Sequence, residues 1–236
     1  MRKERAQSYS EVKRFVDAGL RQYMLNVFSY MSVGLLLTAI VTYVASLSEA
    51  FMSFLFSSHV TFFIVALAPV GIVFYLGAKI NDMSAATAKT LFFVYAASVG
   101  LSMASIMLIY TTASIVSTFF VTSSMFLSMV IYGYSTQKDL TSWGSFLLMG
   151  LVGILIAGIV NAFMRSSVAS LVISAIGVIV FTGLTAYDAQ RIKSYYLESD
   201  SSDTSGKKAV FGALSLYMDF INLFMHLLRF LGTRRD

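Results

Sequence analysis

Six stretches of this chain, each about as long as a bilayer is thick, contain no Asp, Glu, Lys or Arg: Val27–Leu47, Val60–Leu76, Thr90–Ile109, Ile115–Tyr134, Ser142–Phe163 and Val168–Tyr187. An α-helix rises 1.5 Å per residue, so ~20 apolar residues cross ~30 Å of hydrocarbon. Soluble cores are built from shorter apolar runs, of roughly 10–14 residues. A seventh stretch, Ala209–Leu231, has the same length but carries a few ionisable side chains. The fold expected is all-α: a polytopic membrane protein with seven transmembrane helices. Connections as short as Tyr110–Ser114 and Met164–Ser167 force antiparallel hairpins, so the helices form one bundle. Residues 1–26 are expected as a cytoplasmic amphipathic segment, 27–232 as the transmembrane domain and 233–236 as a tail.

Only 12% of the residues are charged and 57% are hydrophobic, against about 25% charged in an ordinary soluble domain. The net charge of +5 does not point to nucleic acid, because the basic residues flank membrane spans, where they set orientation. Thirteen of the seventeen Lys and Arg fall before the first span or in the even-numbered connections, which places the N-terminus on the cytoplasmic side. Arg229, Arg234 and Arg235 lie at the other end, and leave open a last segment that dips in and returns. No cysteine is present, which excludes disulfides, thiolate metal sites and a Cys nucleophile. The first apolar run exceeds the 7–15 residues usual in a signal peptide and is read as a true span.

Before that span, Val12, Val16, Leu20, Tyr23 and Val27 recur at helical spacing beside Lys13, Arg14, Asp17 and Arg21, the pattern of a helix lying on the inner surface. The tract from Glu198 to Gly206 is polar and is expected to be a mobile loop. Gly150, Gly153, Ala157 and Asn161 form a small-residue strip that would admit a neighbouring backbone.

The chemistry concentrates on the last helix. Ser215, Asp219, Asn222, His226 and Arg229 are spaced four, three, four and three, so they share one stripe, while the other faces are Leu, Phe, Ile and Met. A carboxylate in a span costs about 2.5–3.5 kcal/mol on insertion scales, which makes Asp219 a functional candidate and turns its stripe toward other helices. A structural hydrogen bond inside the bundle is the plainer reading. Asp188 stands at the inner end of the sixth span; it either pairs with Arg191 or Lys193, or meets Asp219. Spacing alone does not deliver that meeting: in a helix starting at Ala209, Asp219 lies ~15 Å deep. His226 reads either as a packed core histidine or as part of the stripe.

Five ordered blocks, DAGLRQYMLNVFSYMSVGLLLTA (Asp17–Ala39), NDMSAATAKTLFF (Asn81–Phe93), YGYSTQKDLTSWGSFLLMGLVG (Tyr132–Gly153), FTGLTAYDAQRIK (Phe181–Lys193) and ALSLYMDFINLFMHLLRFLG (Ala213–Gly232), resemble the Bax inhibitor-1, or transmembrane Bax inhibitor motif, family in its bacterial form. The resemblance implies six helices around a seventh, a pH-sensitive calcium leak, and two proton-sharing aspartates that correspond to Asp188 and Asp219. Some members carry further charges in or near the second helix. Here that span has none, which leaves Lys79 at its inner end, with Arg191, as the candidate latch.

Two carboxylates in contact in a low-dielectric site share one proton, and losing it leaves charges that repel, bind Ca²⁺ weakly or recruit a cation. The expected function is a pH-sensitive calcium leak, not an enzyme, with Ca²⁺ and protons as partners and no tightly bound cofactor. An alternative is a regulator that docks on a membrane-embedded protease or stress pathway through its N-terminal helix. An intramembrane aspartyl protease fits worse: its second aspartate follows Gly-x-Gly, whereas here the site reads Leu216–Tyr217–Met218–Asp219, and no proline follows Pro69.

Overall fold

The computed structural model describes the backbone of residues 2–235 and the side chains of residues 18–235. Its helices are α1 (Arg2–Leu47), α2 (Glu49–Leu55), α3 (His59–Lys79), α4 (Ala85–Met103), α5 (Ile106–Ile109), α6 (Thr112–Ser135), α7 (Thr141–Met164), α8 (Ser167–Ser194) and α9 (Ser202–Leu231). Seven of these segments are long and apolar enough to cross a membrane; α2 and α5 are short pieces at one end of the bundle.

Hydroxyl side chains start most of the helices. Ser48, Ser58, Ser84, Thr111, Ser166 and Ser201 each accept a backbone N–H from the first turn of α2, α3, α4, α6, α8 and α9. Such caps satisfy donors that the helix itself leaves unpaired. α7 ends differently, with Arg165 in the left-handed region at φ 52° and its N–H donating to Asn161 O at 2.7 Å. Asn161 Oδ1 also accepts from Ser166 N–H at 3.2 Å, closing the hairpin to α8. α3 runs through Pro69 without a break.

α9 packs against α8, α1, α6 and α4. Of its most apolar window 67% is buried, against 11% for α3 and for α7. α3 leans on α4, and α7 on α8, so their remaining faces are left for lipid. With no hydrophobic drive between helices in lipid, close approach and interhelical hydrogen bonds hold the bundle. Thr38 Oγ1 and Thr42 Oγ1 on α1 donate to Ala96 O and Gly100 O on α4 at 2.9 and 3.0 Å, and the constant offset makes the two helices parallel.

Three expectations differ from what is observed. Residues 18–26 do not lie on a surface: α1 is continuous, and Tyr23 and Val27 are buried in the bundle. Val12, Lys13, Arg14, Val16 and Asp17 fall outside the described side chains. The polar tract is not a mobile loop, because Ser202–Gly206 already belongs to α9. Asp203 Oδ1 accepts the Ala85 N–H at 2.8 Å, tying the start of α9 to the start of α4, while Lys208 Nζ pairs with Asp200 Oδ2 at 2.6 Å and bonds Tyr195 O at 3.0 Å. The small-residue strip does not admit a backbone: a Cβ on Gly153 would meet nothing, and one on Gly150 only the Val180 side chain. The close crossing is at Gly133 of α6, which lies against the Ala186 carbonyl of α8. The seventh span stands as expected, and the alternative of a segment that dips in and returns falls away. α9 is one 30-residue helix, and the tail beyond it pairs with the segment before α6, Thr111 N–H donating to Thr233 O at 3.1 Å and Arg235 N–H to Ile109 O at 2.9 Å.

Candidate functional site

The antiparallel register of α8 and α9 can be followed contact by contact. At one end Lys208 Nζ reaches Tyr195 O, and next to it Ile192 fills the space above Gly212. Toward the other end the His226 ring stacks on Phe181, centroids 5.5 Å apart and planes at 27°, over Gly177, where a Cβ would collide with the imidazole. Asp188 lies seven residues after Phe181, and Asp219 seven residues before His226. Seven residues are nearly two helical turns, ~10.5 Å along the axis, and return to almost the same face. The facing that stacks Phe181 on His226 therefore turns Asp188 and Asp219 toward the same α8–α9 interface, two turns away.

Their surroundings differ. Asp219 is 5% exposed, its Oδ2 has no hydrogen-bond partner among the described residues, and Leu216, Phe220 and Leu223 around it are buried. A buried carboxyl oxygen without a partner is costly and calls for a proton, a water or an ion. The Asp188 side chain retains 14% exposure, and Arg191 Nη1 lies 3.9 Å from its Oδ1. Arg191 is itself held over the rings of Tyr187 and Tyr195, at 5.9 and 5.4 Å. Tyr187 and Arg191 line a recess of about 330 Å³ with Asp139 and Gln190, so Asp188 is one side chain away from water at that end. Gln190 shapes the recess by accepting Leu140 N–H at 2.9 Å and donating to Lys138 O at 2.8 Å. Asp139, outside the spans, has its carboxyl held below the usual range by hydrogen bonds from the Thr141 hydroxyl and N–H.

The rest of the stripe is divided. Ser215 is half-buried, and Asn222 turns back on its own helix, Nδ2 donating to Met218 O at 2.8 Å. His226 is buried, and its Nδ1 has no hydrogen-bond partner among the described residues. Arg229 is exposed and reaches a cavity of about 760 Å³ at the far end, which Arg234 also lines. Lys79 is not brought to the aspartates: it pairs with Asp82 at 3.1 Å, both side chains largely exposed. Of the two latch candidates, Arg191 contacts one of the candidate pair, Asp188, and Lys79 neither. Among the described residues no group of three or more His, Cys, Asp or Glu could hold a metal ion.

Sequence reading missed Gly177, Gln190 and Tyr217. Nothing in a periodic pattern marks Gly177 as the seat of an imidazole 49 residues away. Tyr217 left a faint signal, a hydroxyl in mid-span two residues before Asp219.

Residues 20–236 match the family model described as inhibitor of apoptosis-promoting Bax1. The chain is 46% identical over 220 residues to the inner membrane protein YbhL of Escherichia coli K12, covering 92% of this chain and 94% of that one. It is also 46% identical over 220 residues to an uncharacterised protein of Rickettsia prowazekii, covering 93% of each. A membrane protein of Streptococcus pyogenes serotype M3 is 33% identical over 218 residues, covering 92% of this chain and 94% of its own.

Proposed function

This chain belongs to the Bax inhibitor-1 family of membrane proteins, and from that premise we propose that it is a pH-sensitive cation leak, with Ca²⁺ as permeant ion, switched by one proton shared between Asp188 and Asp219. The location proposed is a bacterial inner membrane, as for the relative YbhL, with the N-terminus inside on the distribution of Lys and Arg.

The observation that carries the reading is the buried, unpartnered Oδ2 of Asp219 facing a helix that presents Asp188 in register. With one proton between them, a carboxyl O–H donates to the opposing carboxylate and the orphaned oxygen is satisfied. Without it, the two carboxylates carry like charges, which repel by about 4 kcal/mol if brought to ~4 Å at an effective dielectric of 20. That is the size of gap separating alternative packings of one chain. Arg191 offsets part of the charge on Asp188 and so sets where the switch lies. The recess lined by Arg191 and Tyr187 is the side from which the reading brings protons and cations.

The test is Ca²⁺ and Na⁺ flux against pH in proteoliposomes. Asp219→Asn, an isosteric change, is expected to abolish the pH dependence, and Asp188→Asn to do the same. Flux and pH response unchanged in both variants would defeat the assignment.

A further inference from the structure

Four of the seventeen Lys and Arg break the bias toward the N-terminal side of the spans, and two of these, Arg229 and Arg234, line one cavity of about 760 Å³. The sorting of basic residues by orientation accounts for the majority and leaves these exceptions without a cause. Arg229 stands in the last turn of α9. Arg234 is brought to the same cavity by the tail, which is pinned beside the start of α6: Thr233 N–H donates to Ser114 Oγ at 2.9 Å, and Arg235 N–H to Ile109 O at 2.9 Å. No Asp or Glu is in the lining. Along α9 the lining runs from Ile221 through Met225 to Arg229, ~12 Å of helix axis, so it is apolar within the span and cationic at the span's end. Ala66 of α3 and Leu171 of α8 line it as well; α3 packs on α4 and α8 on α9, and the two do not pack on one another to any extent.

We propose that this cavity binds an anionic phospholipid of the leaflet at that end, with the phosphate at Arg229 and Arg234 and an acyl chain along Ile221 and Met225. Charge complementarity selects an anion, since both guanidiniums reach a lining that holds no carboxylate, and a guanidinium fork matches phosphate oxygens. The apolar run on α9 selects an amphiphile over a bare anion, because a hydrated phosphate gains nothing from Ile221, Met225 or Leu171. A cavity of this size also suits a ligand far larger than an inorganic ion. The site is independent of the ion reading; only the assignment of its leaflet to the outer side rests on the proposed orientation.

The experiment is native mass spectrometry of the full chain in detergent with an equal mixture of phosphatidylglycerol and phosphatidylcholine of matched acyl chains. Wild type is expected to retain phosphatidylglycerol preferentially. Arg229→Gln with Arg234→Gln, both at exposed positions, should reduce that preference roughly tenfold or more. Arg165→Gln removes a cation at the C-cap of α7, outside the lining, and should leave the preference as in wild type. Leu171→Trp, at a half-exposed position in the lining, fills the cavity and should lower retention of phosphatidylglycerol. Equal retention of the two lipids by wild type, a preference that survives the double substitution, an equal loss in Arg165→Gln, or full retention by Leu171→Trp overturns the proposal. Displacement of the bound lipid by excess glycerol 3-phosphate would make a soluble phosphate the occupant and overturn it equally.

Discussion

Thr38 Oγ1 and Tyr217 OH lie 2.6 Å apart in the buried middle of the bundle, joining α1 to α9. The same Thr38 oxygen is 2.9 Å from Gly34 O and 2.9 Å from Ala96 O. A hydroxyl has one proton, and Thr38 gives it to these carbonyls, so Tyr217 is the donor in the hydroxyl pair. Phe92 and Tyr95 meet the Tyr217 ring edge-on at 5.7 and 5.5 Å and hold it in place. Three helices are thereby fixed to one another two residues from Asp219.

The asymmetry of that contact is testable. Tyr217→Phe removes one bond and strands nothing, because Thr38 keeps its carbonyl acceptors; the expected cost is about 0.6–1.5 kcal/mol. Thr38→Val leaves the Tyr217 hydroxyl buried without an acceptor and should cost more, about 1–3 kcal/mol. Thermal unfolding of both variants in one detergent reads the order, and the reverse order would refute the donor assignment.

Glycine substitutions separate the close crossing from the apparent one. Gly133→Ala drives a methyl into the Ala186 carbonyl, which is backbone and cannot rotate away, so α6 and α8 must part at a cost of about 1–3 kcal/mol or more. Gly153→Ala enters open space and should be neutral or stabilising by up to ~1 kcal/mol, alanine being the better helix former. Melting temperatures of the pair decide it; equal destabilisation would count against the described α6–α8 contact.

Arg191→Gln takes a cation from beside Asp188 while leaving both carboxyls in place. The doubly charged state of the pair then becomes harder to reach, and the pH at which flux changes should move upward, with the pH response retained. A profile superimposable on wild type would remove Arg191 from the switch.

Asp139 provides the complementary control. Its carboxyl is held below the ordinary Asp value by Thr141, so the stabilisation it contributes is complete above that value and is lost only as pH falls through the lower, folded one. Between about pH 5 and 8, where histidine and perturbed carboxyls titrate, Asp139 stays charged. Asp139→Asn is therefore expected to leave the flux profile in that range intact. A displaced profile would show that the recess, not the aspartate pair, reads pH.

Much of the architecture could be read before any coordinates. The seven spans were visible because lipid requires each segment to satisfy its own backbone, a demand that length and charge alone express. Their ends were not, and the errors fell where polar residues continue a helix beyond the hydrocarbon, as at Ser202–Gly206 and Lys193–Ser194. Ser201 as a cap was a local signal within the tract taken for a loop. Gly133 and Gly153 look alike in sequence; only one faces a backbone, since a helix's neighbours are not written in its own periodicity.

The stripe on α9 needed only 3.6-residue periodicity, so Ser215, Asp219, Asn222, His226 and Arg229 were on one face from the start. Bringing Asp188 opposite Asp219 required more: where α9 begins, how far α8 extends, and the fit of His226 over Gly177 that fixes their slide. Those quantities belong to the contact between two helices and to neither alone. The sequence by itself determined that a buried acid had to exist; tertiary packing decided what it faces.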